Sequence, residues 1–290
     1  MKDQALKLRQ LVAGNQQASP LLQQIKEGQG RARVIAVTSG KGGVGKTMTA
    51  VNLSLLLAES GAKVLLVDAD LGLANADVML GMESGRHIGH LLFADCLPDD
   101  VVAEGPCGIA VISGGSGLRE LAEAGSADRQ VLLGKLRSYY GNFDYVVVDT
   151  SPGIGSEVGD FLRDADDVLL LTTPEPTSLR DCYAALKSIV QEMPEMNVIT
   201  LVNSASSAQA EQAIEALDQV VDKFLGRRIE EWYHIESDQM VARTIRNRQP
   251  LVRSYPRSPA AICLRRLCNI LISRSTAAET SRRQAVHAAV

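Results

Sequence analysis

Six short apolar runs punctuate the chain: 33–39 (RVIAVTS), 63–68 (KVLLVD), 109–112 (IAVI), 145–149 (YVVVD), 168–172 (VLLLT) and 198–203 (VITLVN). Runs this continuous, without alternating polar positions, predict strands buried on both faces of a parallel sheet. Longer stretches predicted to be helical lie between them, at 47–60, 118–139, 177–191 and 207–225. Strand and helix in alternation predict an α/β fold, a doubly wound and mostly parallel sheet. Ligands in such folds sit outside the carboxyl ends of the strands. Each chemical motif below follows a strand.

The pattern is weaker at the two ends. Ala5, Leu8, Leu11 and Val12 form one short helical stripe, followed by the small, polar linker AGNQQASP. Residues 1–31 therefore read as an appendage, 32–274 as the globular domain, and 275–290 as a loose polar tail. A second stripe gathers Cys263, Leu264, Leu267, Cys268, Ile270 and Leu271 on a predicted helix over 260–272, opposite Arg265, Arg266 and Asn269. A core-packing face suits that stripe better than a membrane foot.

At 290 residues and 46% apolar content, the chain is long enough to bury a full core within one domain. It has no run of about 18 apolar residues that would span a membrane. The opening MKDQALKLRQ lacks a signal-peptide core, so the expected location is the cytoplasm. Five cysteines without a CxxC pair read as small buried residues of a reducing compartment. His87 and His90 have no neighbouring Cys or carboxylate pattern that predicts zinc.

Charge changes the picture more. Residues 241–290 hold ten arginines against one acid, Glu279, about +9, so the net charge of −4 leaves −13 elsewhere. The asymmetry reads either as a basic surface for an anionic partner or as solvated helix faces.

The strongest chemical signal is Gly40-Lys41-Gly42-Gly43-Val44-Gly45-Lys46-Thr47, which fits the P-loop pattern G-x-x-x-x-G-K-[ST]. Its glycines let successive backbone N–H groups converge on a phosphate, and the following helix adds its positive end. Lys46 then reaches the β- and γ-phosphates and Thr47 is a ligand for Mg²⁺, with Thr49 in the same nucleotide-binding set. ATP and Mg²⁺ are the implied cofactors. Asp149, closing YVVVD, is the natural Walker B residue, holding Mg²⁺ directly or through water. Asp70, in VDADLG, is free to orient a water in line with the γ-phosphate. Lys41 inside the loop reads either as a tolerated solvated residue or as a cation for transition-state charge.

The segments SGKGGVGKT, VDADLGLANADVMLG and VVVDTSPGIG together resemble the MinD/ParA family of deviant-Walker ATPases, over about residues 33–272. The resemblance implies slow, dimer-dependent ATP hydrolysis, in which two subunits sandwich two ATP molecules and Lys41 contacts the phosphates of the opposite subunit. It makes Asp70 the water-positioning residue and Asp68 its companion on switch I (70–78), with Asp68 added to Thr47 and Asp149 around the metal. Switch II becomes 149–155, and Asn203 the adenine-reading asparagine.

DLGLANADVMLG, EPTSLRDCYA and YPRSPAA are similar to the branch of the family that regulates flagellar number and placement. Asp3–Arg9 (DQALKLR) fits that branch's DQAxxLR motif for stimulating an FlhF-type GTPase. Flagellar transcription or switch components, and the inner face of the cell membrane, are further partners the resemblance brings in; DNA is disfavoured.

The chain departs from the family where its Ile-Pro-x-Asp becomes Ile235-Glu236-Ser237-Asp238, and where no membrane-targeting helix is evident after Arg274. Partition ATPases that bind DNA, division-site ATPases, and a nucleotide-sensing binding module are the competing readings.

Overall fold

The computed structural model describes residues 31–70, 75–83, 85–92, 95–115 and 125–288. The Asp3–Arg9 motif and part of switch I lie outside the described residues.

One eight-stranded sheet forms the centre, in the order β3-β4-β2-β5-β1-β6-β7-β8. Its strands are β1 (Arg33–Ser39), β2 (Val64–Ala69), β3 (Val102–Glu104), β4 (Ala110–Ile112), β5 (Tyr145–Thr150), β6 (Asp167–Thr172), β7 (Val198–Asn203) and β8 (Trp232–Ile235). All neighbours pair in parallel except β3, which runs antiparallel to β4 at one edge. The helices are α1 (Lys46–Glu59), α2 (Ala76–Leu80), α3 (Ser126–Tyr140), α4 (Ser156–Leu162), α5 (Pro176–Glu192), α6 (Ser207–Leu225), α7 (Gln239–Arg246), α8 (Leu251–Ser254) and α9 (Pro259–Ala288).

The apolar runs become strands because both sheet faces are covered. Along β5, Tyr145 and Val147 pack into one core with Leu53 and Leu264, while Val146 and Val148 pack on the other face with Leu132 and Leu136. This is the two-sided burial that unbroken Val/Ile/Leu runs require. Helix α6 begins where Ser206 accepts from Gln209 N–H and Gln209 answers at Ser206 N–H. It stops at left-handed Gly226, φ 61°. Both signals are written in the sequence.

The stripe on α9 is core. Ala260, Ala261, Leu264, Leu267, Cys268 and Leu271 are buried against the cluster that also holds α1, whereas Cys263 and Ile270 are only half-buried. The helix does not end near residue 272, nor is 275–288 a loose tail: α9 continues to Ala288. After Pro259 no proline or glycine interrupts the chain to Ala288, and its many alanines, leucines and arginines are helix formers. At the amino-terminal end of the strands, fully buried Asp167 accepts from Arg33 Nε (2.6 Å), Asn197 Nδ2 (2.5 Å) and Arg274 of α9 (3.5 Å). Arg274 also pairs with Glu231, so the helix is riveted to the sheet there.

Cys107 departs from the buried-cysteine expectation: it is exposed, in a turn where its φ is 59°. Among the described residues, no helix is long and apolar enough to cross a membrane.

Candidate nucleotide-binding site

Strand β1 occupies the point where the sheet order reverses, and its carboxyl end leads into Gly40–Thr47. Gly43 and Gly45 hold φ values of 79° and 96°, the left-handed region that glycine enters without strain. Gly40 and Gly45 are also needed for space. A Cβ at Gly40 would run into the Asp181 carbonyl of α5, and one at Gly45 into the Asn203 amide. The loop is therefore pressed between α5 on one side and the end of β7 on the other.

Parallel register brings the carboxylates beside the loop. Asp149 on β5 stands opposite both Val37 of β1 and Asp68 of β2. Lys46, buried at the first turn of α1, faces Asp149, Asp70 and Asp68. Burial lowers its pKa, and the three carboxylates pull the other way.

The two buried aspartates differ. Asp68 Oδ1 accepts from Asp70 N–H (3.1 Å), and Oδ2 from Asn75 and Ala76 N–H (3.0 Å each). Burial raises its pKa, and those three bonds oppose the shift. Asp68 thus braces both ends of the switch I loop, and the metal role implied for it meets oxygens already engaged with backbone.

Asp149 is fully buried, and neither carboxylate oxygen has a hydrogen-bond partner. Its pKa is raised by burial and then by Asp68; the nearby Thr47 hydroxyl and Lys46 oppose this without closing a well-formed bond to it. An unpartnered buried carboxylate beside a threonine hydroxyl is a fitting donor set for a hard divalent cation. Thr47 and Asp149 are the residues that would hold Mg²⁺. Thr49 is placed in the same first turn, fully buried with its hydroxyl unpartnered.

Asp70 sits at the seam of the two switches: Ser151 donates to its Oδ1 at 3.2 Å. Gly153, with φ 108°, donates its N–H to Ser39 O at 2.8 Å, and Thr150 Oγ1 donates to Val37 O at 3.1 Å. Switch II is thereby tied directly to the strand that carries the P-loop.

Two contacts were not legible in the motifs. Lys41 turns outward, its Nζ 3.3 Å from both Glu175 Oε2 and Thr177 Oγ1 at the start of α5. Asn203, 5% exposed, donates from Nδ2 to Val44 O at 2.7 Å and accepts from Ser204 N–H at 2.9 Å. Its amide therefore props the P-loop from beneath. In the Ile235–Asp238 stretch, Asp238 caps α7 through Met240 N–H (2.8 Å) and also accepts from Ala260 N–H (3.2 Å), joining α7 to α9. The rings of His87 and His90 meet at a tilt of 59°, with centroids 4.1 Å apart.

A glycine cradle, a buried lysine and a Walker B aspartate on adjacent parallel strands define a P-loop ATPase. A family profile described as AAA domain matches residues 32–201. The antiactivator FleN of Pseudomonas aeruginosa is 37% identical over 234 residues, covering 80% of this chain and 84% of that protein. The flagellum site-determining protein YlxH of Helicobacter pylori is 32% identical, covering 86% and 84%. The crystal structure of the cell division ATPase MinD of Pyrococcus furiosus matches the fold, with a TM-score of 0.70 at 23% identity over 83% of this chain and 99% of that one. The chain belongs to the MinD/ParA family of ATPases, and it is similar to FleN and YlxH along most of their length.

Proposed function

We propose that this ATPase is an ATP-driven dimerisation switch that regulates flagellar number and placement. The observation that carries the flagellar part is its similarity, along most of both chains, to the antiactivator FleN and to YlxH. The site supports the chemistry. Mg²⁺ held by Thr47 and Asp149 would neutralise phosphate charge, while the P-loop N–H groups and Lys46 bind the β- and γ-phosphates. Asp70, tied to Ser151, orients the attacking water and couples both switches to the γ-phosphate. Lys41, held at the loop rim by an exposed contact worth little, is available to cross to a second subunit. Asn203 supports the P-loop at Val44 O and is the residue expected to read the adenine.

The partner in this reading is an FlhF-type GTPase, engaged through Asp3–Arg9, with flagellar transcription or switch components downstream. Docking would place Ala5, Leu8 and Val12 in a groove of the partner, with Arg9 toward the partner's nucleotide site. Full-length protein is expected to accelerate GTP hydrolysis by such a GTPase at least about tenfold, and Arg9→Ala to remove most of that gain, about 1.4 kcal/mol of barrier. Single-turnover GTPase assays decide this: an unchanged rate with the wild-type protein rejects the flagellar partner and leaves the ATPase assignment standing.

A further inference from the structure

At the amino-terminal edge of the sheet, opposite the P-loop, α5 and α6 part around a cleft of about 850 Å³. Leu186 and Val190 of α5, Val221 of α6, and Met196, Val198 and Ile229 beside them make its walls apolar. The apolar surface continues along the two helices. Tyr183 packs with Leu186 and Val221, and its ring lies 6.4 Å from that of Phe224, which is 63% exposed. Charge at the rim is one-sided. The lining arginines are committed: Arg227 donates to Pro194 O at 3.0 Å, Arg228 pairs with Asp218 and Asp222, and Arg274 pairs with Asp167 and Glu231. Glu195 and Glu230 are exposed and have no ionic or hydrogen-bond partner among the described residues. Helices α5 and α6 end at Glu192 and Leu225, just before Pro194 and Gly226 of the lining, and their carboxyl ends add partial negative charge.

An apolar cleft with an acidic rim fits a basic amphipathic segment, and this chain carries one. Residues 1–12 hold Lys2, Lys7 and Arg9 against Asp3, with Ala5, Leu8, Leu11 and Val12 on one helical stripe. The chain also enters the domain beside the cleft. Arg31 lies 4.0 Å from Asp166, and the next residue, Asp167 at the start of β6, bonds the cleft residues Asn197 and Arg274. Eighteen residues separate Val12 from Arg31, a span of up to about 60 Å when extended. That reach is well beyond the width of the two helices, about 10–12 Å each.

From this we infer that residues 1–12 dock in the α5–α6 cleft of their own chain, the aliphatic stripe against the apolar walls and the lysines at Glu195 and Glu230. Tethering favours this occupant over a segment of another molecule, because a covalently linked site is met at roughly millimolar effective concentration. The contact itself does not require a GTPase. Where the GTPase reading of Asp3–Arg9 also holds, docking covers the side chains that such a partner would engage, so the motif is withheld until it is released. Helix α5 reaches from the cleft to the P-loop, where Asp181 O lies against Gly40 and where Glu175 and Thr177 hold Lys41. Lys41 leaving for a second subunit therefore acts on the helix that forms one wall of the cleft. That link between release and ATP rests on the dimer-switch reading.

The test is hydrogen exchange read by mass spectrometry on the full chain without nucleotide, with a synthetic peptide of residues 1–20 as the undocked reference. Amides of residues 5–12 are expected to exchange at least about tenfold more slowly in the protein than in the peptide, as a contact that buries two leucines requires. Leu8→Ser with Leu11→Ser should abolish the difference. Glu195→Lys with Glu230→Lys should reduce it at least about threefold, the scale of two exposed charge pairs. Adding Lys2→Glu with Lys7→Glu to that variant should restore protection, because the charges are then exchanged across the contact. Arg9, on which the GTPase test turns, stays in place. Exchange at the peptide's rate in the wild type overturns the proposal, as does protection that survives the Glu195 and Glu230 changes. Protection that disappears on dilution overturns the own-chain assignment and gives the cleft to the segment of a second copy. Unchanged ATP hydrolysis by the Glu195→Lys, Glu230→Lys variant separates a lost contact from a lost fold. The exchange experiment contains no GTPase, so its failure leaves the GTPase test above unaffected.

Discussion

Replacing Lys46 with alanine is expected to weaken ATP binding by at least about 100-fold, which corresponds to roughly 2.7 kcal/mol and lies within the range for charge-assisted bonds to phosphate. The change has two parts. It removes the cation that meets the β- and γ-phosphates, and it leaves Asp149, Asp70 and Asp68 facing the phosphates without the charge that now offsets them. Titration calorimetry with Mg·ATP measures the loss directly. An affinity within about threefold of wild type would mean that the glycine loop alone holds the nucleotide, and that Lys46 serves the apo fold.

Asp149→Asn is expected to act in opposite directions on stability and on catalysis. In the nucleotide-free protein a fully buried carboxylate has no hydrogen-bond partner and a raised pKa, dominated by burial. A carboxyl whose pKa is higher folded than unfolded takes stability away as pH rises above the ordinary carboxylate range. Neutralising it should stabilise the apo protein near pH 7 by about 1–3 kcal/mol, seen in denaturant unfolding. ATP hydrolysis should fall at least about 100-fold, because the Mg²⁺ position loses its carboxylate. A variant that is less stable and hydrolyses ATP normally would refute both halves.

The strands and the P-loop were legible because each depends on local pattern: two-sided burial needs unbroken apolar runs, and phosphate binding needs glycines at fixed spacing. Contacts between distant segments were not. Nothing near Lys41 announces Glu175, 134 residues away, and nothing near Asn203 announces the Val44 carbonyl it supports. Strand β8 escaped notice because Trp232–Ile235 is a short edge strand, half-buried over three of its four residues, so it carries no apolar run. The three-residue β3 escaped for the same reason. Asp238 matched a family position near adenine and caps α7 locally, yet its bond to Ala260 appears only once α9 folds back on α1. The charge asymmetry was plain in the sequence, but whether it formed a surface depended on which arginines found carboxylates.

The central claim is that Lys41 acts on a second subunit whereas Lys46 acts on its own nucleotide. Sedimentation velocity with saturating Mg·ATP tests it most directly, in an Asp70→Ala background so that slow turnover lets the assembled state accumulate. The account predicts a dimer for Asp70→Ala alone. Adding Lys41→Ala should give a monomer that still binds ATP within about threefold of the parent affinity. If that double variant remains a dimer, or if Lys41→Ala costs as much ATP affinity as Lys46→Ala does, Lys41 acts within its own subunit and the switch is not built as proposed.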